Sequence, residues 1–144
     1  MIRKITEEDR ESYIKMAQDF YSSPAVLAPV PAKNIENTFF ELMRSDEYAE
    51  AFIFERDSKT AGYALLAKTF SQEAGGLVVW IEEIYIKSEF RGLGLGGEFL
   101  EMIKNDYPAA RLRLEVEPDN DRVVSLYEKH GFKRLDYISY YLDK

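Results

Sequence analysis

Seven residues, Arg91-Gly92-Leu93-Gly94-Leu95-Gly96-Gly97, stand between a strand-like run at Leu77–Lys87 and a helix-like run at Glu98–Asn105. Glycine carries no Cβ to keep a ligand off the backbone, and a helix start offers unpaired N–H groups at the positive end of its dipole. A turn built this way suits phosphate. Arg91 can add a charge-assisted contact to the same anion, although an ion pair with Glu89 or Asp106 would use it equally well. Upstream in the strand-like run, Glu82-Glu83 place two carboxylates side by side. A carboxylate whose pKa is raised by burial or by a like-charged neighbour can take a proton from an amine at neutral pH. Strand alternation sends adjacent side chains to opposite faces, so the pair reaches one site only if a β-bulge intervenes. Downstream, Asn120, Tyr127 and His130 are the remaining polar candidates. Asn120 fits a helix cap, Tyr127 fits an apolar helix face, and His130, just before Gly131, fits a helix C-terminus favoured by the dipole.

Gly92-x-Gly94-x-x-Gly97 also satisfies the dinucleotide fingerprint, and Glu117 follows twenty residues after Gly97. The motif starts at residue 92 of 144, which leaves too little chain for two βαβαβ halves, and Glu82-Glu83 interrupt a strand that such a fold would bury on both faces. A nucleoside-triphosphate loop is excluded because the Gly-Lys-Ser/Thr ending is missing. The chain has no cysteine and one histidine. Disulfides, thiolate metal sites and a Cys nucleophile are therefore ruled out, a multi-histidine metal centre is unsupported, and no metal is expected. A net charge of −7 opposes nucleic-acid binding and favours a cationic partner. No apolar run approaches the roughly 20 residues of a membrane span, and Met1-Ile2-Arg3-Lys4 does not open a signal peptide, so a cytoplasmic protein without membrane partners is expected.

These residues need a scaffold, and 144 residues with 46% hydrophobic and 31% charged content make one ordinary domain, spanning 1–144. Ile2–Ile5 reads as a first strand. Thr6 is the expected N-cap of a helix reaching about Phe20, with Asp9 at the capping-box position. Three prolines between Pro24 and Pro31 force a loop. Ile35, Thr38, Phe39, Leu42 and Met43 form one face of a helix over Asn34–Arg44. Glu50–Arg56, Thr60–Phe70 and Leu77–Lys87 are strands with connectors short enough for antiparallel hairpins. After the glycine turn and its helix come a strand at Arg111–Glu117, a helix at Asp121–His130 closed by Gly131, and two final strands at Phe132–Leu135 and Tyr137–Leu142. The expected order is β-α-α-β-β-β-α-β-α-β-β, an α/β fold with a mixed, mostly antiparallel sheet flanked by helices.

Arg91-x-x-Gly94-x-Gly96 resembles the pyrophosphate loop of the GNAT N-acetyltransferase superfamily. Ile81–Gly92 is similar to the strand that precedes that loop, and Asn120–Phe132, with Asn120 seven residues before Tyr127 and a closing Gly131-Phe132, is similar to the second family signature. The resemblance covers about residues 77–135, and the element order also agrees; the N-terminal third matches only in its pattern. It implies an acetyl-CoA-dependent N-acetyltransferase in which the acceptor amine attacks the donor directly. The loop residues Arg91, Gly92, Leu93, Gly94, Leu95, Gly96 and Gly97 would hold the coenzyme pyrophosphate, largely through backbone N–H groups. The backbone of Ile84, Tyr85 and Ile86 would pair with the pantetheine arm, and Asn120 would contact coenzyme. The catalytic set implied is Glu82 as base or proton conduit, Glu83 as a second acid that binds cationic substrate, and Tyr127 near the thioester sulfur. The acceptor would be a small-molecule or peptide primary amine, cationic in character, with the Pro24–Pro31 segment and its Val26, Leu27 and Val30 along the acceptor wall. Pairing as a homodimer is compatible with the resemblance. The alternatives are a non-catalytic module that binds acetyl-CoA or CoA, and a dinucleotide-binding protein.

Overall fold

A computed structural model describes all of residues 1–144. Strands β1 (Ile2–Lys4), β2 (Ala49–Arg56), β3 (Lys59–Ser71), β4 (Gly76–Ile86) and β5 (Arg111–Leu114) form one sheet in sequence order. The first three neighbouring pairs are antiparallel and β4–β5 is parallel, as the expected mixed sheet requires. Helices α1 (Arg10–Tyr21) and α2 (Ala32–Arg44) join β1 to β2. Helix α3 (Leu95–Asp106) crosses from β4 to β5, and α4 (Asp121–Lys129) follows β5.

Period-two alternation along the strands divides the apolar residues between the two faces. On β2, Ala51 and Ile53 meet Tyr13, Met16, Phe39 and Leu42 of α1 and α2. The intervening Phe52 and Phe54 meet Phe99 of α3, together with Ala64, Leu66, Val79 and Ile81. Two separate cores result, one on each side of the sheet. Gly62 lies where β3 and β4 approach so closely that a Cβ would stand 2.2 Å from the Tyr85 carbonyl oxygen.

The ends of the first helical segment are fixed as the capping pattern predicts, although a 3-10 turn at Glu7–Asp9 precedes α1. The Thr6 N–H donates to Asp9 at 2.8 Å, and Arg3 grips the same buried carboxylate with both terminal nitrogens at 2.8 Å. Between β2 and β3 the chain reverses through Asp57 and Ser58, with φ of 52° and 60°. A two-residue turn with both φ positive matches the right-handed twist of its strands.

The C-terminus departs from expectation. β5 stops at Leu114 instead of Glu117, and neither Phe132–Leu135 nor Tyr137–Leu142 forms a strand. Neither run alternates with period two, since Lys133 and Arg134 are adjacent and Tyr140, Tyr141 and Leu142 are consecutive, and only Asp136 separates the two runs. One residue is too short for a hairpin turn, and no Gly, Asn or Pro is present to reverse the chain.

Candidate active site

β4 carries the site. Leu65 of β3 pairs with Glu83 while its neighbour Leu66 pairs with Ile81, so Glu82 is an extra residue with no partner across the strand. This β-bulge changes the phase of the strand. Ile81 packs on the α3 side of the sheet, and Ile84 and Ile86 return to that side, three and five residues later. The signal lies in the sequence, where the apolar series Leu77, Val79, Ile81 resumes at Ile84 and Ile86 out of step by one.

The bulge gives the two glutamates different surroundings. Glu83 points into the α1–α2 side and is 6% exposed. One carboxylate oxygen accepts from the Tyr21 hydroxyl and the other from the Tyr63 hydroxyl at 2.5 Å. Burial raises the Glu83 pKa above the ordinary carboxylate range, and the two tyrosine hydrogen bonds only partly oppose it. Tyr63 and Tyr21 are pushed up in turn, first by burial and then by that carboxylate. Beside them lies a cavity of about 130 Å³ whose lining includes Tyr13, Tyr21, Val30, Asn34 and Glu83. Tyr21 was absent from the sequence-based candidates, because nothing in the spacing of residues 21 and 83 signals their contact. Glu82 remains accessible, and its pKa is also raised, chiefly by local desolvation and then by Glu83 and Glu115.

The bulge also marks where the sheet opens. β4 and β5 pair only from Val78–Arg111 to Ile81–Leu114, so beyond Ile81 that edge of β4 has no neighbouring strand. Ile84, Tyr85 and Ile86 therefore present one backbone edge to a cleft while the other pairs with Gly62–Ala64 of β3. Their side chains matter elsewhere: Ile84 and Ile86 pack on the α3 core, and the Tyr85 hydroxyl donates to Asp19 at 3.3 Å.

The glycine turn closes the end of this cleft. Gly92 and Gly94 have φ of 78° and 82°, and Gly94 is the residue before α3. The first N–H bonded within the helix is that of Glu98, to the Gly94 carbonyl at 2.9 Å; those of Gly92 through Gly97 donate to no protein acceptor. A Cβ built at Gly92, Gly94 or Gly96 would meet nothing within 4 Å. The result is an open cradle of unpaired donors at a helix start, which fits an anion such as a pyrophosphate. Leu93 is half exposed, whereas the Leu95 side chain is buried in the core and leaves only its backbone for a ligand. Arg91 pairs with neither Glu89 nor Asp106. Its Nε donates to the Ile86 carbonyl at 2.9 Å, tying the turn to the end of β4.

Tyr127 packs edge-on to Phe132 beside the α3 core, and its hydroxyl makes no hydrogen bond to another side chain. Asn120 caps α4 by accepting from the Val123 N–H at 3.4 Å, leaving its amide nitrogen free. His130 Nδ1 bonds Glu101 of α3 at 2.7 Å, tying the end of α4 to α3, and its ring stands beside Gly97, where a Cβ would come within 3.5 Å of Nε2. Of the Pro24–Pro31 segment, Val30 reaches the cavity and Leu27 stands 92% exposed. No group of three or more His, Cys, Asp or Glu side chains is placed to hold a metal ion. No helix is long and apolar enough to cross a membrane.

The profile of the Acetyltransferase (GNAT) family matches residues 7–132. The chain belongs to that family. Its GNAT relatives include the thialysine N-epsilon-acetyltransferase of Sus scrofa, 30% identical over 103 residues, which are 69% of this chain and 59% of that protein. The Bos taurus enzyme of the same name is 32% identical over 77 residues, 51% of this chain and 45% of its own. This chain thus spans about three fifths or less of these relatives. In fold it is similar to a possible acetyltransferase from Clostridium difficile 630, with TM-score 0.86 and 19% identity, covering 100% of this chain and 97% of that one. It is also similar to AAC(6')-Iy in complex with a bisubstrate analogue, CoA-S-monomethyl-acetylneamine, with TM-score 0.81, 15% identity, and coverage of 100% and 97%. Membership in the GNAT family removes the dinucleotide reading of Gly92–Gly97, in agreement with a sheet that has one parallel strand pair.

Proposed function

We propose that residues 1–144 form one N-acetyltransferase domain that moves the acetyl group of acetyl-CoA to a primary amine on a small-molecule or peptide acceptor, with both bound at once. The bulge at Glu82 carries this reading, because it sets two carboxylates of raised pKa at the point where β4 parts from β5. Acetyl-CoA supplies an activated acetyl thioester. The N–H groups of Gly92–Gly97 hold its pyrophosphate, Arg91 adds positive charge at the turn, the free backbone edge of Ile84–Ile86 pairs with its amide-bearing arm, and the Asn120 amide nitrogen donates to it.

A lysine-like amine has a pKa near 10.4 and must lose a proton before it attacks. Glu82, accessible at the mouth of the cleft, accepts that proton directly or through water. Glu83 acts on the other side of the strand. With Tyr21 and Tyr63 it anchors a cationic group of the acceptor beside the α1–α2 cavity, where Val30 shapes the wall. The Tyr127 hydroxyl donates to the departing thiolate. An amine-bearing acceptor is also in keeping with the thialysine and neamine named for the relatives. A cytoplasmic setting belongs to the same proposal.

The test is a panel of polyamines, aminoglycosides and lysine peptides assayed by release of free coenzyme A, alongside calorimetric titration with acetyl-CoA and with NAD. Turnover with at least one amine is expected. Binding of acetyl-CoA without turnover of any amine would favour a non-catalytic coenzyme-binding module, and binding of NAD alone would overturn the donor assignment.

A further inference from the structure

Arg113 of β5 is held in place while its donors go unused. It stands level with Trp80 across the parallel β4–β5 pair, and its guanidinium carbon lies 4.3 Å from the centre of the Trp80 ring. Leu112 and Leu114 of β5, like Val79 and Ile81 of β4, pack on the α3 core, so strand alternation turns the stack to the opposite face, where Trp80 and Arg113 join neither core. Carboxylates outnumber Lys and Arg by 26 to 19, yet Arg113 makes no ion pair. The acid beside it, Glu73, is taken by Arg111 at 2.9 Å and by the Tyr137 hydroxyl at 3.2 Å. Stacking on an aromatic ring fixes the guanidinium plane without consuming its N–H groups. What remains is a rigid fork of donors that matches a carboxylate.

The fork stands beside the proposed reaction centre. Glu82 follows Trp80 by two residues on β4, and Glu115 follows Arg113 by two, just past the last pair that joins the strands. Glu115 is close enough to Glu82 for the two charges to act on each other. Glu82 and Arg113 therefore present opposite charges separated along the strands by about 7 Å, the rise of two residues. An α-amino acid, with amine and carboxylate on one carbon, cannot span that separation. A chain of several methylenes between the two groups can.

We propose that Arg113, held by Trp80, binds a carboxylate of the acceptor, so that the preferred acceptor is an amino acid, free or at a peptide C-terminus, whose reacting amine lies several carbons from that carboxylate. Narrowing the acceptor in this way rests on the reading of Glu82 as the proton acceptor in acetyl transfer. It sets aside polyamines and aminoglycosides, which carry no carboxylate.

Acetylation by the full chain is compared for ε-aminocaproate and ε-aminocaproamide, which differ only in the carboxylate. Wild type is expected to favour the acid in kcat/KM by about tenfold or more. In Arg113→Gln the acid-to-amide ratio is expected to fall to near one, and in Arg113→Lys, which keeps the charge and loses the fork, to an intermediate value. General damage to the fold would lower both rates and leave their ratio in place. A wild-type ratio near one, or a ratio that Arg113→Gln does not move, overturns the carboxylate site while acetyl transfer stands. Calorimetric titration of ε-aminocaproate separates the opposite case. Binding that Arg113→Gln weakens by the same factor, with no amine turned over, keeps the carboxylate site and defeats the transfer reading; neither binding nor turnover overturns both. Lysine and glycyl-lysine tell a free amino acid from a peptide terminus, and amidation of the glycyl-lysine carboxylate is expected to reduce its turnover as it does for the caproate pair.

Discussion

At the bulge, Glu82 and Glu83 are chemically identical and adjacent, yet one is exposed and the other buried. Glu82→Gln keeps the shape and removes the proposed base, so kcat is expected to fall by about 10²–10⁴-fold with coenzyme affinity retained. Because the Glu82 pKa is raised and the base must be ionised, wild-type kcat/KM should rise with pH on the acid side, and Glu82→Gln should lose that rise. Tyr127→Phe is expected to lower kcat with little change in the KM for acetyl-CoA; an equal loss of coenzyme binding in calorimetry would make it a packing residue only. Glu83 also leaves a mark on stability. The unfolded chain releases this proton near pH 4.3 and the folded chain only at higher pH, so its contribution is most favourable below that value and is lost as pH rises. Urea unfolding of wild type and Glu83→Gln should show the difference moving against wild type between pH 4 and neutrality. Both glutamates were legible as candidates in the sequence. Which one is enclosed was not, since Tyr21 and Tyr63 lie 62 and 20 residues from Glu83 and meet it only through folding.

The glycine turn and the β2–β3 hairpin show how elements use backbone freedom differently. Gly96 is helical and open around its Cβ position, so Gly96→Val should weaken acetyl-CoA binding by an order of magnitude or more while changing stability by only about 0.5 kcal/mol. Gly94 has a left-handed backbone, and Gly94→Ala should cost about 1 kcal/mol of stability as well. At the hairpin, Ser58 adopts φ of 60° where a two-residue turn favours glycine, and Ser58→Gly is expected to stabilise the protein by about 1 kcal/mol in urea unfolding without changing turnover. Helices and the long strands were legible because apolar spacing matches their periods. α3 begins at Leu95 rather than the expected Glu98, since the glycines that lower helix propensity are also the ones that free its first N–H groups.

Across the whole molecule, two cores on opposite faces hold one sheet, and the proposed site lies where that sheet opens between β4 and β5. The Arg3–Asp9 grip shows the opposite pH behaviour to Glu83. Arg3 lowers the Asp9 pKa, so this stabilisation is present above about pH 4 and disappears as acid protonates the Asp9 carboxylate. Asp9→Asn should therefore cost about 1–3 kcal/mol at neutral pH and progressively less toward pH 2, measured by denaturant unfolding. By itself the sequence determined the type and order of the strands and helices up to residue 131, the glycine turn at a helix start and the family resemblance, because each rests on local spacing within a few residues. Tertiary structure decided the rest: the phase of β4 at Glu82, the enclosure of Glu83 by Tyr21 and Tyr63, the parting of β4 from β5, and the exposed course of residues 133–142. Those features depend on which partners lie across the sheet and on which edge stays unpaired, and such contacts between distant residues leave no period in the chain.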